Sequence, residues 1–316
     1  MKALRFIGMA LLATMVSINF TSCNKDEEGE SGKNDDGIIT NQKRLVEIGR
    51  TNGKDTKNIY FTYDSKDRMI AVSVNRRGKE VDNYFYAWGN NVIMATSSND
   101  DEDESTYMLT DNLVRKQQYS NTHYKTFMYN SSNQLINLNE KDDSDSDNYT
   151  FTWNSQKLTQ CNNTYNNNSD GDPYTCDHQY KYNGKTCQGW FPNIEISFEG
   201  VYDEFIFYAH PELIGTRTNQ LPEQITGKHN NKYEYYDYYY NERYTRKDIE
   251  EETADFTYTL DKDKYVESCT ITYKSIETSK YSFIDKNGDG VITSDERNIV
   301  KTETDIEIIT YTFRWE

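Results

Sequence analysis

A single short pattern, repeated along the chain, limits what it can fold into. From Tyr60 onward, alternating aromatic residues lead into a polar turn, and an aliphatic pair follows the turn. The unit reads YFTYDSKDRMIAV at 60–72, YFYAWGNNVIMA at 84–95 and TYMLTDNLVRKQ at 106–117. It continues as YKTFMYNSSNQLINL at 124–138, YTFTWNSQKLTQC at 149–161 and HQYKYNGKTCQGW at 178–190, with looser copies at 204–215 and 255–273. Alternation on both sides of an Asn, Asp, Gly or Pro turn is the signature of a β-hairpin. Copies recur at roughly 20–29 residues, the spacing of a repeat architecture. Consecutive hairpins pair with their neighbours, so the expected fold is all-β: an antiparallel up-and-down meander forming a curved single sheet or a half-open barrel. No segment keeps a helical period; Lys247–Ala254 comes nearest. The acidic stretches Asn99–Ser105 and Lys141–Asn148 read as solvated connections.

What precedes the repeats gives an address. Residues 1–23 open with Lys2 and Arg5, run apolar from Phe6 to Phe20, and end Phe-Thr-Ser-Cys. This is a secretory signal peptide, and its apolar run is shorter than the roughly 20 residues a spanning helix needs. Its end resembles a bacterial lipobox, which implies that Cys23 is lipidated. Asn24-Lys25-Asp26-Glu27-Glu28 resembles the tag that sends Bacteroidetes lipoproteins to the outer face of the outer membrane. Residues 24–43 are expected to be a flexible acidic tether, because the segment from Asn24 to Gly37 has no apolar side chain to offset ordering entropy. The hairpin domain then covers 44–275 and a C-terminal hairpin covers 276–316.

Charge removes whole classes of function. The net charge is −17, and cleavage of the leader would take away two cations and no anion. Nucleic-acid binding needs clustered Lys and Arg, so nucleic acid is excluded as a partner, and the lipid anchor is left as the membrane contact. Cys161, Cys176, Cys187 and Cys269 match no zinc spacing and contain no CxxC. In an exported chain they form disulfides in one of three connectivities or remain buried thiols. His123, His178, His210 and His229 belong to no HExxH, and no GxSxG or phosphate loop occurs, so the chain is read as a non-enzyme.

The hairpin series, the Leu221-Pro222 step and the Tyr258–Val266 hairpin resemble an uncharacterised Bacteroidetes surface-lipoprotein domain described as having a porin-like β fold. The resemblance spans roughly residues 45–275 and implies no catalytic residue; Tyr63-Asp64 is similar to the YD repeats of secreted shells. A lipid-facing barrel needs apolar residues at every outward position. Lys125, Asn137 and Asn139 break such a set, so the expectation is a tethered sheet in water.

One motif carries chemistry. Asp285–Glu296 fits the twelve-position EF-hand loop. Asp285, Asn287 and Asp289 supply side-chain oxygens, Gly290 the bend, Val291 a carbonyl, Thr293 a direct or water-mediated ligand, and Glu296 the bidentate closure. The expected cofactor is one structural Ca2+. Its alternative is a plain Asn-Gly turn. Asp143-Ser-Asp145-Ser-Asp147 starts the same way but lacks the closing glutamate, since Asn154 stands there. Within Tyr233–Tyr244, residues Tyr236, Tyr238 and Tyr240 share one strand face. They form a candidate platform for sugar rings, or cross-strand packing against Lys and Arg stems. The partners expected are the outer membrane, through the anchor, and a glycan or surface protein.

Overall fold

The computed structural model describes residues 43–77, 79–98, 104–143, 145–166, 174–188, 205–216, 220–237, 242–283 and 299–316. Among them are sixteen strands. The first six are β1 (Leu45–Thr51), β2 (Thr56–Tyr63), β3 (Met69–Arg76), β4 (Lys79–Trp88), β5 (Val92–Ser97) and β6 (Ser105–Thr110). Then come β7 (Leu113–Gln118), β8 (His123–Tyr129), β9 (Leu135–Asp142), β10 (Asp145–Asn154), β11 (Lys157–Asn166) and β12 (Tyr174–Thr186). After a short helix, α1 (Phe205–Ala209), and a 3-10 turn (Pro211–Ile214), the chain ends in β13 (Gln220–Asp237), β14 (Glu242–Leu260), β15 (Val266–Phe283) and β16 (Ile299–Trp315). Each strand pairs antiparallel with the next, and β1 pairs with β16 from Leu45↔Trp315 to Thr51↔Thr310. The meander therefore closes into a barrel, which removes the exposed edges that an open sheet of this size would present.

The repeated unit has a structural reason. Seven odd-numbered strands carry one extra residue near their start: Val46, Ile70, Arg115, Ile136, Thr159, Glu223 and Glu267. Each bulge turns two residues inward three apart instead of two. The pairs are Leu45/Ile48, Met69/Val72, Val114/Gln117, Leu135/Leu138, Leu158/Cys161, Pro222/Ile225 and Val266/Cys269, and all are buried. Before the bulge, the ladder to the following strand stops, as at Ala71↔Phe85 and Asn137↔Thr150. An aromatic side chain on that following strand bridges the gap by donating to the carbonyl of the first residue of the pair. Tyr63 donates to Leu45 O, Trp88 to Met69 O, Tyr129 to Val114 O and Trp153 to Leu135 O. Tyr182, Tyr258 and Trp315 do the same for Leu158, Pro222 and Val266, and all seven bonds measure 2.6–2.9 Å. The exception supports the rule. β5 meets β4 without a register shift, its ladder to β6 starts at Val92↔Met108, and β6 ends in Leu109-Thr110 with no aromatic donor.

Three expectations about local structure need correction. The 204–215 unit, read as a hairpin, is α1 followed by the 3-10 turn. Phe207 packs edge-on against Tyr107 and Phe127, and Ile206 is fully buried. A segment enclosed by a closed sheet finds no strand edge, so it bonds to itself: His210 N to Ile206 O, Leu213 N to His210 O and Gly215 N to Glu212 O. Gly215 (φ +93°) then passes so close to the β8–β9 turn that a Cβ would lie 2.1 Å from Asn133 O. The 178–190 unit contains no reversal either; β12 runs straight through, and Asn183-Gly184 forms an irregularity opposite Gln220–Pro222. Lys141–Asn148 is not a solvated connection: β9 and β10 form a tight hairpin with Asp142 opposite Asp145. Lys247–Ala254, the nearest helical candidate, lies inside β14 and pairs on both sides.

The outer surface of the barrel carries rows of bonded polar side chains. Asn137 Nδ2 donates to Asn148 Oδ1 at 2.8 Å, Gln160 Nε2 to Asp177 Oδ1 at 3.0 Å and Gln224 Nε2 to Asp255 Oδ1 at 2.7 Å. Ser73 donates to Asn83, and Lys228 pairs with Glu251 at 3.2 Å. Lys125 does not belong to this surface, contrary to the sequence reading. It points inward and is buried, because Lys125 and Phe127 lie on one strand face.

Candidate functional site

The capped half of the interior is apolar, and further along the strands the same inward rows become polar. On β6–β10 Gln117 Nε2 donates to Tyr119 Oη at 2.7 Å, and Lys125 and His123 meet Glu140 at 3.5 and 3.2 Å. Tyr165 donates to Asp145, and Asn163 Nδ2 to Asp147. Asp145 and Asp147, members of the weaker calcium-like run, are thus held by side chains on β11.

The densest grouping lies on β12–β15. Registers Cys176↔His229, His178↔Gly227, Gly227↔Glu252 and Ala254↔Tyr273 bring four inward positions to one place. Cys176 Sγ is 3.3 Å from His178 Nδ1, 3.6 Å from His178 Nε2 and 3.5 Å from His229 Nε2. Glu252 Oε2 is 3.5 Å from His178 Nε2 and 3.0 Å from His229 Nε2, and Tyr273 donates to Glu252 Oε1. Burial pushes the Glu252 carboxyl up. Its hydrogen bonds from His178, His229 and Tyr273 outweigh that and hold it well below the usual carboxylate range.

Gly227 is what allows the approach. A Cβ there would lie 2.9 Å from both Glu252 Oε2 and His178 Cδ2, and 3.0 Å from His178 Nε2. Opposite Cys176, Asn163 is buried, and its Oδ1 has no hydrogen-bond partner among the described residues. Cys176, His178 and His229 each offer one ligand atom, all within 4.8 Å of one another. Imidazole, thiolate and carboxylate together suit a borderline transition metal better than calcium.

Only a faint trace of this grouping is visible in the sequence. Cys176-Asp177-His178 places Cys176 and His178 on one face of a strand, but their partners sit on strands much further along the chain. The four cysteines are buried free thiols, which decides between the alternatives in favour of thiols. Burial pushes Cys187 up to about 11 and raises Cys161 and Cys269 as well, so these three stay protonated.

Of the residues singled out by motif, Cys23, Asp285, Asn287, Asp289, Val291, Thr293, Glu296, Tyr238 and Tyr240 lie outside the described residues. Tyr236 stands in β13 opposite Arg243. The strands on either side of the calcium-type loop are β15 and β16, which pair antiparallel. β15 ends at Phe283, paired with Tyr244, which also pairs with Tyr235. The described strand ends Asp237, Glu242 and Phe283 therefore lie on the same rim of the sheet.

No family model matches the sequence, and no curated protein matches it. Solved structures do. A porin-like protein from Bacteroides uniformis ATCC 8492 superposes with a TM-score of 0.52 at 17% identity, covering 86% of this chain and 96% of that one. A porin-like protein from Bacteroides vulgatus ATCC 8482 gives 0.53 at 12% identity, covering 87% and 99%. The fold of this chain is the porin-like barrel, and the resemblance read from the hairpins holds at that level.

Proposed function

We propose that this chain is a non-enzymatic outer-membrane lipoprotein, anchored through Cys23, whose barrel stands in water and does binding or structural work outside the cell. The observation that supports this reading is the outer surface. Rows such as Asn137–Asn148 and Gln160–Asp177 occupy positions where a membrane barrel carries a lipid-facing apolar band about 25 Å tall. Even a single Lys at the bilayer midplane costs about 2–4 kcal/mol. A barrel with this exterior needs a separate anchor, and the lipobox supplies one. The deciding experiment is fractionation of Cys23→Ala: the variant should leave the membrane pellet with its β spectrum intact. Retention after a salt wash would contradict the anchor.

The loop from Asp285 to Glu296 is proposed to bind one structural Ca2+ through Asp285, Asn287, Asp289, Val291, Thr293 and Glu296. Ligand spacing supports this, as does its position between two long paired strands, where a cation would relieve carboxylate repulsion. Melting temperature should rise with millimolar calcium and stop responding in Glu296→Gln. No heat of binding in wild type would return the loop to an ordinary turn.

A further inference from the structure

We propose that Cys176, His178 and His229 form a three-donor site for zinc(II) inside the barrel, with Glu252 beside it, independent of the calcium loop. The distances carry the inference. With Zn–S near 2.3 Å and Zn–N or Zn–O near 2.0–2.1 Å, a tetrahedron requires S···N edges of about 3.5 Å and N···O edges of about 3.3 Å. Cys176 Sγ stands 3.3 Å from His178 Nδ1 and 3.5 Å from His229 Nε2, and Glu252 Oε2 stands 3.5 Å from His178 Nε2 and 3.0 Å from His229 Nε2. Three donors from two adjacent strands thus already lie within 4.8 Å of one another, and Glu252 on the next strand stands against both imidazoles.

Charge agrees with geometry. A thiolate and a carboxylate with two neutral imidazoles neutralise a dication, so the loaded site carries no net charge into a buried layer. Tyr273 holds one oxygen of the Glu252 carboxylate, whose other oxygen meets both imidazoles, the outer-shell role that orients metal ligands. Gly227 completes the site by omission, since any side chain there would stand against His178 Nε2 and Glu252 Oε2. Calcium and magnesium, which take oxygen ligands, fit this donor set poorly. Binding replaces the Cys176 thiol proton by the metal, so zinc affinity should fall as pH falls.

The test uses the purified full chain, stripped with chelator and kept in millimolar calcium so that the acidic loop is not available. The expected result is one Zn2+ per chain. Co2+ in its place should give a near-ultraviolet thiolate charge-transfer band together with the strong visible bands of a tetrahedral ion. Cys176→Ser should lose the near-ultraviolet band. Gly227→Ala, which leaves every donor in place, should weaken zinc at least tenfold, and Tyr273→Phe by about 10–100-fold. If the glycine variant fails to fold, the tyrosine variant, lacking one hydroxyl, still decides. Absence of stoichiometric zinc overturns the proposal. So does a thiolate band that survives Cys176→Ser, because it would come from another cysteine, and so does an unchanged affinity in Tyr273→Phe.

Discussion

At the capped end of the barrel one device recurs seven times, whereas among the described residues of the polar layer no grouping occurs twice. Each cap joins a bulge, an inward pair three residues apart and an aromatic donor from the following strand. The polar layer is built from long-range pairs such as Lys125–Glu140 and His229–Glu252, each made once. The difference bears on where information lies. A feature repeated around a ring shares its energetic burden, so the loss of one copy is modest and the pattern is visible along the sequence. A grouping assembled once from distant strands depends on each member and leaves little local trace.

The largest effect should come from the apolar core beside the caps. Leu138→Ala removes a fully buried side chain and should cost about 2–5 kcal/mol, measured as a fall in the urea midpoint. A loss below 1 kcal/mol would mean that this half is not close-packed.

Next comes Glu252→Gln, which removes the charge accepting from His178, His229 and Tyr273. Hydrogen bonds to charged groups contribute about 1.5–3 kcal/mol, so a loss of about 2–3 kcal/mol at pH 7 is expected. The folded carboxyl titrates below its unfolded value of about 4.3. Its contribution is therefore complete above about pH 4.3 and is lost as pH falls through the lower, folded value. The stability of Glu252→Gln should fall less steeply than wild type over that acid range. Parallel acid limbs would show that this carboxylate is not ionised in the fold.

A single cap should matter less. Tyr182→Phe keeps the ring but leaves Leu158 O without its donor, a loss of about 1 kcal/mol, and Tyr129→Phe should match it. The β5–β6 pair is the internal control, since it has neither bulge nor donor. If one cap costs several times the others, the ring does not share its load.

The smallest effect should lie outside. Met128 is 56% exposed on the outer surface, and Met128→Lys should change stability by no more than about 0.5 kcal/mol.

Most of the fold was legible because its grammar is local. Alternation and turns located the hairpins 60–72, 84–95, 106–117, 124–138, 149–161 and 255–273, each matching a pair of consecutive strands. The bulges were hidden, because a strict two-residue period cannot show that Met69 and Val72 face the same way. Phe205–Ile214 misled for a different reason: its aromatic alternation serves burial against Tyr107 and Phe127, and enclosure decided its backbone. The metal-like grouping was almost silent, since only Cys176 and His178 are neighbours in sequence. Closure of the sheet, by β1 on β16, lies in no local pattern at all.

The account depends most on a barrel that is dry inside its capped end and wet outside. The direct measurement is the behaviour of the chain released by Cys23→Ala in buffer without detergent. It should be monodisperse, show a β spectrum and melt cooperatively, with none of these altered by added micelles. A chain that aggregates until detergent is supplied, and folds only then, would place the outer surface in lipid and contradict the account.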